Sequence, residues 1–134
     1  MKLLQTLVLG LFLSFGIQKA SAQVYDFKAT SYSVSEKSGN GKWSDWTDFH
    51  DSTVIITLDG KKDRVIVGSQ EIQLYKILSY GDKIVTKNEE TIPLDCVNND
   101  GTHCSILIVT RKNQENRKQF YINFDNVKFV YNVY

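Results

Sequence analysis

Residues 23–134 predict an all-β fold: an antiparallel meander of eight or nine short strands, forming a small barrel or a sandwich. Three observations carry this. Apolar residues come in short alternating runs rich in Val, Ile, Tyr, Phe and Thr, divided by Gly, Asn and Asp, the pattern of half-buried strands and turns. No stretch has a convincing helical period. The connections after residue 53 are short, which favours hairpin pairing of neighbours over crossovers. A closed barrel removes exposed sheet edges and is slightly favoured on that ground.

In order, strands are expected near 24–34, 53–58, 64–67, 71–79, 83–88, 91–97, 103–110, 118–124 and 127–133. Two hairpins can be tested by register, because a slip of one residue sends every side chain to the other face. In Asn98-Asn99-Asp100-Gly101-Thr102, a type I turn followed by a left-handed Gly101 sets Cys96 opposite Cys104, Leu94 opposite Ile106 and Ile92 opposite Ile108. All three pairs share one face. A two-residue turn at Asp125-Asn126, both tolerant of positive φ, pairs Phe120 with Tyr131, Ile122 with Phe129 and Phe124 with Val127. That face is taken as core. The opposite face, with Gln119 across from Asn132 and Tyr121 across from Val130, is half-polar and open to wetting. The segment 36–52 is the exception to short connections. It is long, rich in Gly, Ser and Asp, and holds both tryptophans.

The first 22 residues read as a secretory signal peptide. Lys2 precedes an apolar run from Leu3 to Ile17, and Ala20-Ser21-Ala22 offers a small-residue cleavage site. The run is shorter than the about 20 apolar residues of a spanning helix, so no stable membrane insertion is expected after cleavage. Residues 23–134 then form a single domain, secreted or periplasmic. Removing the leader takes away Lys2 and Lys19 and no acid, leaving 15 acidic residues of the chain against two fewer than its 16 basic ones. A near-neutral surface excludes the long-range field that gathers nucleic acid. The basic cluster Arg111-Lys112 with Arg117-Lys118 flanks a loop and reads as a solvated hairpin tip. In an oxidising compartment, the paired Cys96 and Cys104 are expected to form a disulfide. Two His and no further Cys leave too few soft ligands for a structural zinc site, and neither a metal nor a cofactor is expected.

The loudest local motif is Trp43-Ser44-Asp45-Trp46. Tryptophans under a long loop usually plug the core. The sharper alternative is a ligand-binding platform in which Trp43 and Trp46 stack a sugar ring while Asp45, Asp48 and His50 take its hydroxyls. Gly41-Lys42-Trp43 also fits the Gly-x-Trp of lipocalin and avidin-type barrels, although here a whole strand precedes it. His50 between Asp48 and Asp51 has the makings of a general base with an orienting carboxylate, but no nucleophile or oxyanion hole accompanies it. Glu89-Glu90 point to opposite faces of a strand and make no acid/base couple. Asp59-Gly60-Lys61-Lys62-Asp63 and Asn98-Asn99-Asp100-Gly101 lack the alternating ligands and closing Glu of a calcium loop; both are turns.

Trp43-Ser44-Asp45-Trp46, Arg64 through Tyr75, the Cys96-to-Cys104 hairpin and Phe129-Val130-Tyr131-Asn132-Val133 together resemble a group of small exported proteins of Bacteroidota. The resemblance covers most of residues 43–133. It implies an envelope or secreted setting and brings no site residues with it. The expectation is therefore a binding or interaction module of the cell envelope or exterior, with carbohydrate or an envelope protein as partner, and most readily not an enzyme. The alternatives are a lipocalin-like carrier of a small apolar ligand, and a small hydrolase using Asp48, His50 and Asp51. A dry core with exposed tryptophans favours the surface binder, an interior cavity the carrier.

Overall fold

The computed structural model describes residues 23–133; the expected signal segment 1–22 lies outside the described residues. Nine strands follow in order: β1 (Val24–Glu36), β2 (His50–Asp59), β3 (Arg64–Val67), β4 (Gln73–Tyr80), β5 (Ile84–Val85), β6 (Glu89–Asn98), β7 (His103–Arg111), β8 (Arg117–Asn123) and β9 (Val127–Val133). Every pairing is antiparallel. The spatial order runs β4-β3-β2-β1-β9-β8-β7-β6-β5, and a further β4–β6 pairing closes the ring. The fold is a closed eight-stranded barrel with β5 as an extra strand, which decides between barrel and sandwich.

Closure depends on β6 changing partner. Its first half pairs with β5 (Ile84 with Thr91, Val85 with Glu90) and its second with β4 (Tyr80 with Leu94, Ile77 with Cys96). Pro93 sits at the switch. A strand residue's N–H and C=O point to the same side, and the Pro93 carbonyl accepts the Gly81 N–H at 2.8 Å. The missing proline donor therefore falls on the β4–β5 side and spares the β7 ladder.

Both hairpin registers match the sequence expectation. Cys96 faces Cys104, Leu94 faces Ile106 and Ile92 faces Ile108. Phe120 faces Tyr131, and Ile122 faces Phe129. Gly101 has φ of +81°, and the Asn98 side chain accepts from the Asp100 and Thr102 N–H groups at 2.9 Å each. This is the side-chain turn that Asn favours. Asp125 and Asn126 keep negative φ, so this hairpin has the expected register without a positive-φ turn.

Alternation fills the interior with Ala29, Val54, Ile56, Val65, Val67, Tyr75, Ile77, Leu94, Ile106, Ile108, Phe120, Ile122, Tyr131 and Val133. Eight strands enclose a space just wide enough for such side chains, so the middle of the barrel is packed. Phe124 and Phe129 lie at its edge, only partly buried. They belong to the core face but not to its centre.

The expected Cys96–Cys104 disulfide requires correction. The two cysteines are directly opposed and buried, yet both are free thiols. Register brings them together without forcing a bond. Burial pushes the Cys96 thiol up to about 12 and the Cys104 thiol to about 11, suppressing the thiolate that oxidation requires. They pack as small apolar side chains.

Candidate functional site

The barrel has two mouths. One, called upper here, carries the β1–β2, β3–β4, β6–β7 and β8–β9 connections; the lower carries the others. The long β1–β2 connection leaves the upper mouth and folds back along β1. Its tip is a tight turn in which Ser38 N–H donates to Lys42 O at 2.7 Å and Gly41, at φ +86°, donates to Ser38 O. A lone bridge pairs Lys37 with Trp43.

From there, residues 44–47 are bonded to β1 by a double row of contacts. Ser44 N–H donates to Glu36 O (2.7 Å), and Thr47 N–H to Val34 O (2.9 Å). The Ser44 and Thr47 hydroxyls accept from Glu36 N–H and Val34 N–H, each at 3.0 Å. The Ser33 hydroxyl donates to Thr47 O at 2.6 Å and the Ser35 hydroxyl to Ser44 O at 2.7 Å. Ser33 and Ser35 are on the outer face of the barrel, yet only 0% and 3% exposed. Small hydroxylated side chains let the returning segment lie close and satisfy carbonyls that a sheet partner would otherwise take.

This anchoring leaves the aromatic side chains outside. Trp43 is 36% and Trp46 43% exposed, and Phe49 is more exposed still. The expectation that the tryptophans plug the core is overturned. The core is already full, and the serine row holds the loop against the wall. Trp46 meets Tyr121 edge-on, ring centroids 6.2 Å apart. The Lys128 ammonium lies 4.1 Å from the centre of the Trp43 ring, and that of Lys37 lies 5.8 Å away, within the range of cation–π attraction.

Beside these rings, a polar ladder crosses the outer wall. Arg111 pairs with Glu89, donates to Gln119 Oε1 at 3.0 Å and to the Tyr121 hydroxyl at 3.1 Å. Gln119 donates to Asn132 Oδ1 at 2.9 Å, and Asn132 to Ser31 Oγ at 3.0 Å. Gln119 and Asn132 are buried, so the face expected to be wet is instead closed by mutual hydrogen bonds. The Asn123 side-chain oxygen, across from Lys128, is buried without a partner among the described residues.

The residues singled out from sequence do not converge. Trp43 and Trp46 lie on the outer wall. His50 pairs with Tyr32 at the upper mouth, ring centroids 5.4 Å apart. Asp45 and Asp48 are exposed. Among the described residues, no hydrogen bond joins His50 to Asp48 or Asp51, and no cluster of three or more His, Cys, Asp or Glu is placed to hold a metal. Sequence reasoning missed the outer-wall scaffold of Ser33, Ser35, Arg111, Gln119 and Asn132. One signal was available: Ser31-Tyr32-Ser33-Val34-Ser35 puts three serines on one strand face, which is unusual for a strand solvated on that side.

Fold and site together define a closed eight-stranded barrel that presents a fixed aromatic loop on its outer wall. No protein-family model, curated protein or solved structure matches the chain.

Proposed function

We propose that this protein is an exported binding module that recognises its ligand on the outer wall of the barrel, with Trp43 and Trp46 as the aromatic platform. One observation carries the reading: two tryptophans stay exposed on a segment whose backbone is tied to β1 at Trp43, Ser44 and Thr47. Exposed aromatics on a rigid support bury large area at low entropy cost, as binding hot spots do. A flat ring with hydroxyls on its edge suits such a surface, which makes envelope carbohydrate the first ligand class to test and an envelope protein the second. Export rests on the signal-like leader and on the resemblance to small exported Bacteroidota proteins. The carrier alternative draws support from the closed eight-stranded barrel, an architecture lipocalins share. The packed middle of this barrel favours the outer wall.

The test is retention of the mature protein on insoluble cell-envelope polysaccharide, comparing wild type with Trp43→Ala and Trp46→Ala. Loss of retention by at least one variant, with thermal unfolding nearly unchanged, is the expected result. Equal retention by all three on every polysaccharide and envelope extract would overturn the reading.

A further inference from the structure

The lower mouth holds an inward-facing lysine among apolar side chains. Lys118 stands on the same face of β8 as Phe120 and Ile122, both interior, and its cross-strand neighbours are Val133 and Thr110. Its ammonium donates to Thr110 Oγ1 at 2.9 Å. The ion pairs among the described residues are Arg64–Asp59, Lys83–Glu90 and Arg111–Glu89. Glu90, across β7 in the same inward row, faces Lys83 at 3.5 Å. Lys118 is half-buried, and matched only by a hydroxyl it lacks the ion pair that charges drawn away from water normally find.

Lys118 borders an open cleft of about 640 Å³, together with Phe27, Val133, Arg117 and residues 114–116, within the size range of small-molecule sites. Its floor is closed. Phe27 packs on Phe120 with ring centroids 5.1 Å apart, so an occupant rests in the mouth and does not thread the barrel. The Arg117 guanidinium is committed to Gln114 (2.5 Å) and to Asn132 (2.7 Å) and braces the rim. Glu115, also on the rim, disfavours a second negative charge.

We propose that the lower mouth binds a monoanionic amphiphile, a free aliphatic carboxylate. Its chain lies on Phe27 and Val133, and its carboxylate accepts from the Lys118 ammonium. The site is separate from the outer-wall platform and does not depend on it. Charge complementarity selects the headgroup, because an ammonium at the edge of an apolar cleft is repaid by one carboxylate. The closed floor selects a chain of modest length.

Calorimetric titration of the protein with octanoate and with octan-1-ol tests this. Octanoate is expected to bind one to one, and octan-1-ol about tenfold or more weakly, as befits loss of a charged hydrogen bond. Lys118→Met should erase the difference between the two, Lys118→Arg should retain it, and Trp46→Ala should leave both titrations unchanged. Mapping amide resonances of the wild-type protein during the octanoate titration covers the case in which Lys118→Met misfolds. Shifts should centre on Phe27, Thr110, Lys118 and Val133. Absence of saturable octanoate binding, wild-type affinity in Lys118→Met, or shifts confined to residues 43–49 would overturn the proposal.

Discussion

Replacing Ser33 and Ser35 together by alanine should free the aromatic loop without unfolding the barrel. Both hydroxyls donate to loop carbonyls, Ser33 to Thr47 O at 2.6 Å and Ser35 to Ser44 O at 2.7 Å. A neutral hydrogen bond contributes about 1 kcal/mol net, so the pair holds the segment closed by about 2 kcal/mol. Alanine fits the same space, and the freed carbonyls find water once the segment lifts. The loss therefore appears as easier local opening more than as lower global stability. About 2 kcal/mol corresponds to about thirtyfold faster opening-limited exchange. The reporters are the amides of Ser44 and Thr47, which donate to Glu36 O and Val34 O. Native-state hydrogen exchange followed by NMR should show these two accelerated, while the amide of Ile122, inside the β8 ladder, stays as slow as in wild type. Unchanged exchange at Ser44 and Thr47 would mean the serines do not hold the loop. Equal acceleration at all three amides would mean that the segment is integral to the core, and the case for a separately mounted platform would fail.

Phe120→Ala, at a fully buried site packed against Phe27, should cost about 3–5 kcal/mol and lower the melting temperature by about 15 °C. Phe129→Ala, at the barrel's edge, should cost clearly less, and equal losses would show that the middle is not better packed than the mouth. Gly81→Ala places a Cβ 2.7 Å from Pro93 Cγ and 3.1 Å from Pro93 O, so denaturant unfolding should show a loss of about 1–3 kcal/mol. Pro93→Ala should partly rescue it, and additive losses would argue against that contact. The native protein without reductant should release two thiols on unfolding, and its thiols should react slowly with a disulfide reagent near neutral pH because burial raises both above their usual range. Since the unfolded thiols ionise first, near their ordinary value of about 9, stability should fall as pH rises from there towards the folded values of about 11 and about 12. Mass spectrometry showing no modified cysteine in protein unfolded and alkylated without reductant would refute the free-thiol state.

Local pattern alone determined much of this protein. Alternation placed the strands, and the Asn98–Thr102 turn with the two apolar faces set the registers of β6–β7 and β8–β9, because a period of two leaves a slipped strand no second way to bury its apolar side chains. The bonding state of Cys96 and Cys104 was not legible, since a correct register brings two thiols face to face without deciding whether they oxidise. Nor was the partner switch at Pro93, which needs β4, β5 and β6 together. The fate of Trp43 and Trp46 was decided only in three dimensions. A tryptophan's size argues for burial wherever space exists, and here the barrel of eight strands is already filled by its own inward residues. The serine row, invisible as a docking surface until β1 meets the returning loop, then fixes both rings on the outside.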